Sequence, residues 1–390
     1  MSKPKWFEKP SGFQDYLPNT VARLRKIEDR VMARMRSWGY EEIITPALEY
    51  YDTVGVASST SDSKLFKLLD KKGTTMVLRS DATAPIARVV SSLLKNQPLP
   101  IRLAYHVNVF RAMEEEAGRQ AEFFQTGVEL VGDDSPEADA EIIALAIDCL
   151  QLAGIPQFKI AIGHIGFLHG LFEETLQHQP EVQKKLKHDL LNRNHVGYKQ
   201  RVESLDLHPQ QKKRLIELLR LRGRRDVCEQ ASFLSQEPRA RAAIEQLCEV
   251  WDALEDYGVS DYVVVDLAMV GDLSYYTGMT FEGYTDAIGF PLCSGGRYDN
   301  LLKQFGRPAP ATGFALKTNR ILELTAKTKS LPVTKRIQIV YTKERRKEAI
   351  AKAASLRKAS QDEHVMVILC LQGTESAEDC FDEQIKMVEG

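Results

Sequence analysis

Long apolar runs are missing from this sequence, and so are the cysteine and histidine spacings that mark metal or disulfide frameworks. The longest apolar stretch near the C-terminus, Val365 to Leu371, is far too short to cross a bilayer. The opening residues MSKPKWFEKP hold no apolar core of a signal peptide, so the expectation is a cytoplasmic protein with no membrane association. Six cysteines (Cys149, Cys228, Cys248, Cys293, Cys370 and Cys380) form no C-x-x-C pair, which fits reduced thiols in a reducing compartment. The eight histidines show no H-E-x-x-H spacing, and His164 and His169, five apart, do not share a helix face. No metal site and no cofactor are expected. A formal net charge of -2 excludes a wholesale basic coat for nucleic acid.

What is present is an ordinary globular composition, 43% hydrophobic and 27% charged over 390 residues. At about 150 residues per domain, this leaves room for two or three domains with a sizeable core. Val21, Leu24, Ile27, Val31 and Met35 recur at helical spacing and predict a helix over 19–37, with Asn19 as its N-cap. Gly39 ends it, and YEEIITPALEY reads as an extended segment halted by Pro46. A strand, a turn around Asp81 to Pro85 and a helix follow. Ile101, Leu103, Tyr105, Val107 and Val109 alternate with more polar neighbours, the period of a strand.

The stretch FRAMEEEAGRQAEFFQTGVELVG, from Phe110 to Gly132, completes that strand, turns through a loop carrying Glu114, Glu115 and Glu116, and returns as an antiparallel partner. On the returning strand Phe123, Gln125, Gly127 and Glu129 share one face, and Phe124, Thr126, Val128 and Leu130 the other. The first face has the character of a pocket wall: a glycine that leaves room and two polar groups that need partners. Residues from about 165 to 258 read as a helical insertion, after which strand patterns resume; CSGGRYDN is expected to be a turn. A basic linker at 326–335 precedes a small β-α-β unit (Ile337 to Tyr341, a helix over 344–358, Val365 to Leu371) and an acidic, loosely ordered remainder.

Taken in order, residues 8 to 325 resemble the catalytic domain of class II aminoacyl-tRNA synthetases, most closely the histidyl branch. SGFQDYLP resembles its N-terminal signature, WGYEEIITPALEY motif 1, the 110–132 stretch motif 2, TGFALKTNRILE motif 3, and LSYYTGMTFEGY the histidine-binding stretch. The resemblance implies an α+β fold, a largely antiparallel sheet flanked by helices, as a 1–325 domain that includes the insertion, followed by the 336–390 unit. It also implies a homodimer built on motif 1.

The departures from that pattern carry the functional expectation. Motif 2 of active members has Arg-x-Glu, whereas Met113 follows Arg111 at that spacing, and Ala121 stands where an arginine is usual. In motif 3 Lys317 replaces a glycine and Asn319 an acidic residue before Arg320. Gly271 falls where the family has the arginine credited with stabilising charge during adenylate formation. Loss of one preorganised donor to a developing oxyanion costs about 2.7–4 kcal/mol. The amino-acid pocket is retained by contrast. Asp81 and Thr83, in Asp-Ala-Thr where the family more often has Glu-Gly-Thr, match contacts to the α-amino group. Gln125 and Glu129 match residues holding the amino group and imidazole, and Tyr275 and Tyr276 match the aromatic pair. Arg111 is a candidate for the ligand carboxylate.

A synthetase-like body with a histidine pocket and altered adenylation residues resembles the ATP phosphoribosyltransferase regulatory subunit. That resemblance implies a non-catalytic partner of the short-form catalytic subunit at the first step of histidine biosynthesis. It further implies feedback inhibition with histidine as effector, and no tRNA. The alternative is a divergent but active histidyl-tRNA synthetase, against which stands the short segment after the linker.

Overall fold

The spacing of Leu24, Ile27, Val31 and Met35 has the consequence expected of it, since all four are buried along one side of α1 (Pro18–Ser37). The helix begins two residues earlier than the Asn19 cap predicts. Leu17 is the N-cap and Pro18 the first helical residue, where a missing N–H costs nothing.

The structure, a computed structural model, describes residues 6–58, 60–112, 120–177, 179–271, 275–325, 335–359, 365–373 and 381–388. They fall into two units, Met1–Ala326 and Lys327–Gly390. In the first, α1 is followed by β1 (Glu41–Glu42), β2 (Leu48–Tyr50), β3 (Lys67–Leu69), β4 (Thr75–Leu78), α2 (Thr83–Ser91), β5 (Ile101–Phe110), β6 (Glu122–Val131), α3 (Pro136–Leu152) and β7 (Lys159–His164). A helical run comes next: α4 (Ile165–Leu176), α5 (Pro180–Leu191), α6 (His195–Ser204), α7 (Pro209–Glu217), the two-residue β8 (Arg222–Gly223), α8 (Asp226–Ser232) and α9 (Pro238–Asp256). The unit ends with β9 (Val263–Asp266), β10 (Met279–Thr285), β11 (Ile288–Arg297), α10 (Leu301–Gln304), β12 (Ala311–Lys317) and α11 (Thr318–Thr325). The extended segment over 41–50 is interrupted around Pro46, as its proline predicts: β1 runs parallel to β5, whereas β2 joins β4 and β3 in a separate small sheet.

Nine strands form the main sheet in the order β1-β5-β6-β12-β11-β10-β7-β9-β8, antiparallel except for β1·β5 and β7·β9. One apolar cluster covers one face, joining α1, α3, α4 and α9 to Val128 and Leu130 of β6. A second lies on the other face, where Tyr105 and Val107 of β5 meet Ile86 and Val90 of α2 and Tyr298 after β11. The two-residue alternation along β5 and β6 thus sends Gln125 and Glu129 away from the first cluster and toward α2. CSGGRYDN, expected as a turn, instead supplies the end of β11, because Cys293 to Arg297 pair with Leu316 to Thr312 of β12.

In the second unit β13 (Lys335–Tyr341), α12 (Arg346–Ala359), β14 (Val365–Leu371) and β15 (Glu383–Met387) form a three-stranded parallel sheet, ordered β14-β13-β15, with one helix. Ile337, Ile339 and Val367 pack on Ala349 and Ala353. β15 comes from the acidic remainder expected to be loosely ordered; its Ile385 and Met387 pack on the same core, which supplies the reason to pair.

Arg297, at the end of β11, is a buried tie between distant parts of the first unit. Its Nε donates to Asp139 Oδ2 of α3 at 3.0 Å, and its terminal nitrogens donate to the carbonyls of Asp133 at 2.9 Å and Ser135 at 3.2 Å. Burial still pushes the Asp139 carboxyl up to about 6, against the pull of Arg297. Arg297→Leu leaves that carboxylate buried without its cation, a change that costs about 3–5 kcal/mol. The urea midpoint of the variant should fall to match. A loss under about 1 kcal/mol, the scale of an exposed pair, would show that the tie carries no stability.

Candidate functional site

One pocket of the first unit gathers all seven predicted site residues: Asp81, Thr83, Arg111, Gln125, Glu129, Tyr275 and Tyr276. Four segments deliver them. Asp81 and Thr83 come from the turn into α2, Gln125 and Glu129 from β6, Arg111 from just beyond β5, and the two tyrosines from the approach to β10.

Space for the pocket is set by glycine. Gly313 of β12 lies opposite Glu129, and a Cβ there would stand 2.1 Å from Glu129 Oε2. Gly127 lies between the pocket's two β6 polar residues, and a Cβ would meet the carbonyl oxygen of Phe314 at 2.1 Å and the Tyr105 hydroxyl at 2.6 Å. Any side chain at either position would fill the room the polar groups occupy.

Glu129 is the centre of the arrangement and is 2% exposed. Thr83 Oγ1 donates to its Oε1 at 2.7 Å, and the Tyr298 hydroxyl donates to its Oε2. Desolvation lifts its carboxyl to about 8; the two hydroxyl donors pull down, and the nearby Asp81 carboxylate pushes further up. Asp81 is held by Ser58 Oγ at 2.9 Å and by the backbone N–H of Ala84 at 3.2 Å. Gln125, 3% exposed, sits opposite Lys317 in the β6–β12 register, and Lys317 lines the same pocket. Arg111 Nε donates to the Ser80 carbonyl at 3.0 Å, and its guanidinium lies 5.6 Å from the Phe123 ring centroid. Arg320 donates to the Pro291 carbonyl at 2.6 Å and is not among the pocket's lining residues.

Aromatic rings form much of the wall. The Tyr275 ring meets those of Tyr276 and Tyr298 edge-on, both at 5.5 Å between centroids. Tyr276 also lies over Gly271, where a Cβ would approach its ring to 2.9 Å. Sequence reasoning missed Tyr298 and Tyr105. Tyr298 was obscured by the expected turn, although it immediately follows an arginine on a strand; Tyr105 stands in the β5 alternation directly opposite Gly127. Met113, Glu114 to Glu116, Arg119 and Asp272 to Ser274 lie outside the described residues. Among the described residues no cluster of His, Cys, Asp and Glu is suited to a metal ion, and no helix is long and apolar enough to cross a membrane.

The chemistry offered is a buried carboxylate pair, Glu129 and Asp81, walled by tyrosine rings and hydroxyls. Such a site favours a cation, which would gain both the carboxylates and the ring faces.

The raised carboxyl has a consequence for stability. Folded Glu129 keeps its proton up to about 8, whereas an ordinary glutamate gives it up near 4.5. Between these values the folded state binds more protons than the unfolded one, so stability falls as pH rises through the window. Glu129→Gln keeps the shape without the titration and should lose that part of the decline in melting temperature. Parallel curves for the two proteins would show that Glu129 ionises at its ordinary value.

The histidyl-tRNA synthetase family model matches residues 12–321. The ATP phosphoribosyltransferase regulatory subunit of Bacillus licheniformis is 48% identical over 353 residues, 90% of this chain and 89% of that one. That of Halalkalibacterium halodurans is 46% identical over 357 residues, 92% of this chain and 90% of the other. A crystal structure described as an ATP phosphoribosyltransferase regulatory subunit/histidyl-tRNA synthetase from Bacillus halodurans superposes with a TM-score of 0.91 at 43% identity, covering 100% of both chains. Histidyl-tRNA synthetase from Nostoc sp. PCC 7120, 23% identical, shares the fold with a TM-score of 0.80 over 97% of this chain and 88% of its own. With a match to the histidyl-tRNA synthetase family model over most of its length and this degree of identity along nine-tenths of it, the chain belongs to the ATP phosphoribosyltransferase regulatory subunit family.

Proposed function

We propose that this chain binds free histidine in the Glu129 pocket and, as a non-catalytic regulatory subunit, conveys feedback inhibition to a short-form ATP phosphoribosyltransferase catalytic subunit in the cytoplasm. The observation that carries the reading is the buried Glu129 carboxylate, held by Thr83 and Tyr298 and ringed by Tyr105, Tyr275 and Tyr276. Histidine suits it. The ammonium pairs with Asp81 and Glu129, the imidazole N–H finds an acceptor in Glu129 or Gln125, and the ring stacks against tyrosine. Arg111 and Lys317, the cationic side chains of the lining, offer the ligand carboxylate its partners.

Glu129→Ala removes a charged acceptor from a buried polar pocket, a contact worth about 1.5–3 kcal/mol. Histidine affinity, measured by calorimetry, should fall about ten- to a hundredfold at ~1.4 kcal/mol per decade. In the reconstituted complex the inhibition curve, taken relative to each complex's own uninhibited rate, should move by the same factor. Feedback couples two sites, so an effector that binds less tightly shifts the partner less. An unmoved curve would mean that histidine is sensed elsewhere.

The competing reading, an active histidyl-tRNA synthetase, needs ATP chemistry. Gly271 presents no charge at the pocket, and Tyr276 covers the space that a side chain there would enter. Lys317 lies where motif 3 of that family has glycine. The purified chain should therefore show no histidine-dependent exchange between pyrophosphate and ATP, and no tRNA binding. Exchange well above the enzyme-free blank would restore the synthetase reading.

A homodimer through motif 1 belongs to the same proposal. The apolar stripe of α1 is used up inside its own chain. The motif 1 segment and its small sheet, however, expose Ile44, Leu48, Tyr50, Leu68 and Leu69, a surface suited to isologous pairing. Sedimentation of the isolated chain at micromolar concentration should report a dimer, and a stable monomer would count against it.

A further inference from the structure

The helical run holds a second chemical feature, remote in function from the pocket. Cys228 lies on α8 and Cys248 on α9, and both are free thiols. An ion pair fixes how the two helices face each other: Arg225 Nε donates to Asp252 Oδ1 at 2.6 Å and a terminal nitrogen donates to Oδ2 at 3.0 Å. Arg225 is the N-cap of α8, three residues before Cys228, and Cys248 and Asp252 are four apart on α9, so at each helix the thiol and the charge lie on one side. Closing the ion pair therefore turns the two thiols toward each other, near enough that each shifts the other's ionisation.

The two sulfurs are not equivalent. Cys228 is buried and Cys248 is partly exposed. The neighbouring Cys228 thiol lowers the Cys248 thiol from its ordinary value, with Arg225 pulling the same way against burial and Asp252. The same proximity, with burial, raises Cys228. This is the division of labour of a reactive thiol and a resolving one.

We propose that Cys228 and Cys248 form a dithiol modification site that peroxides convert, reversibly, to an intrachain disulfide stapling α8 to α9. The Cys248 thiolate attacks one oxygen of hydrogen peroxide; an S–O bond forms, the O–O bond breaks, and the leaving hydroxide takes up a proton as water. The Cys228 sulfur then attacks the sulfenyl sulfur, the S–S bond forms, the S–O bond breaks and a second water leaves with the remaining thiol proton. Two thiols and one peroxide thus become one disulfide and two waters, the two electrons passing from sulfur to oxygen. A dithiol reductant reverses the change by exchange.

The test uses the full chain, reduced, freed of reductant and treated with hydrogen peroxide before alkylation and peptide mass mapping. The expected product is a cross-linked pair of peptides holding Cys228 and Cys248, lighter by two hydrogens, abolished by dithiothreitol, while the buried Cys149 and Cys293 stay reduced. The cross-linked protein should also melt at a higher temperature than the reduced one, since the bridge restricts the unfolded chain. In Cys228→Ser, a 1,3-dione should trap Cys248 as the sulfenic acid, and in Cys248→Ser, Cys228 should resist peroxide. Oxygen added at Cys248 in the unaltered chain without a cross-link would overturn the proposal. So would two thiols that survive peroxide unchanged.

Discussion

Arg297 is the side chain on which the geometry of the first unit turns. Its guanidinium reaches Asp139 in α3 and the carbonyls of Asp133 and Ser135 in the turn that starts that helix, where Ser135 itself caps the first turn. One planar fork thereby fixes the end of β11 against the start of α3 from inside a dry layer. The next residue, Tyr298, is then delivered to Glu129 by backbone connectivity alone. A lysine could supply the charge but not the three simultaneous directions.

Burying Glu129 is costly, and what surrounds it decides what the site prefers. Its hydrogen-bond partners, Thr83 and Tyr298, are hydroxyl groups, which can orient a carboxylate without neutralising it, and the adjacent Asp81 carboxylate raises its proton affinity further. An empty pocket of this kind keeps a proton. A cation that enters supplies the missing charge and releases that proton, so on the proposed reading histidine binding strengthens as pH rises toward about 8, with the ligand's own ionisation superimposed.

Much of this was legible in the residues. The helical period of α1 and the alternation along β5 and β6 follow from burial of one face, and the structure keeps both faces of β6 as the pattern divides them. Gln125 and Glu129 were legible as a pocket wall from the β6 alternation and its glycine, whereas the other five pocket residues came only through family resemblance. What stayed hidden depends on tertiary contact. Glycines in CSGGRYDN look like turn formers, yet Gly295 is pressed between the Gly313 carbonyl and the Phe281 ring inside the sheet, where a Cβ has no room. Tyr298 was lost with that misreading. β15 has too few apolar residues to announce itself and forms because β13 offers an open parallel edge.

The acceptor capacity of the two pocket carboxylates bears on what the site can still hold. An ionised carboxylate offers about four lone-pair sites. Asp81 Oδ2 takes the Ser58 hydroxyl at 2.9 Å, whose oxygen in turn takes the Ser80 hydroxyl at 2.7 Å, and Oδ1 takes the Ala84 N–H. Glu129 takes one hydroxyl on each oxygen. Each carboxylate is thus about half filled, so both keep acceptor room for a ligand's N–H groups. The Ser58–Ser80 hydroxyl pair ties Asp81 to the end of the 51–58 segment, and the Ser80 carbonyl takes Arg111 from beyond β5, so two separate segments hold this carboxylate in place.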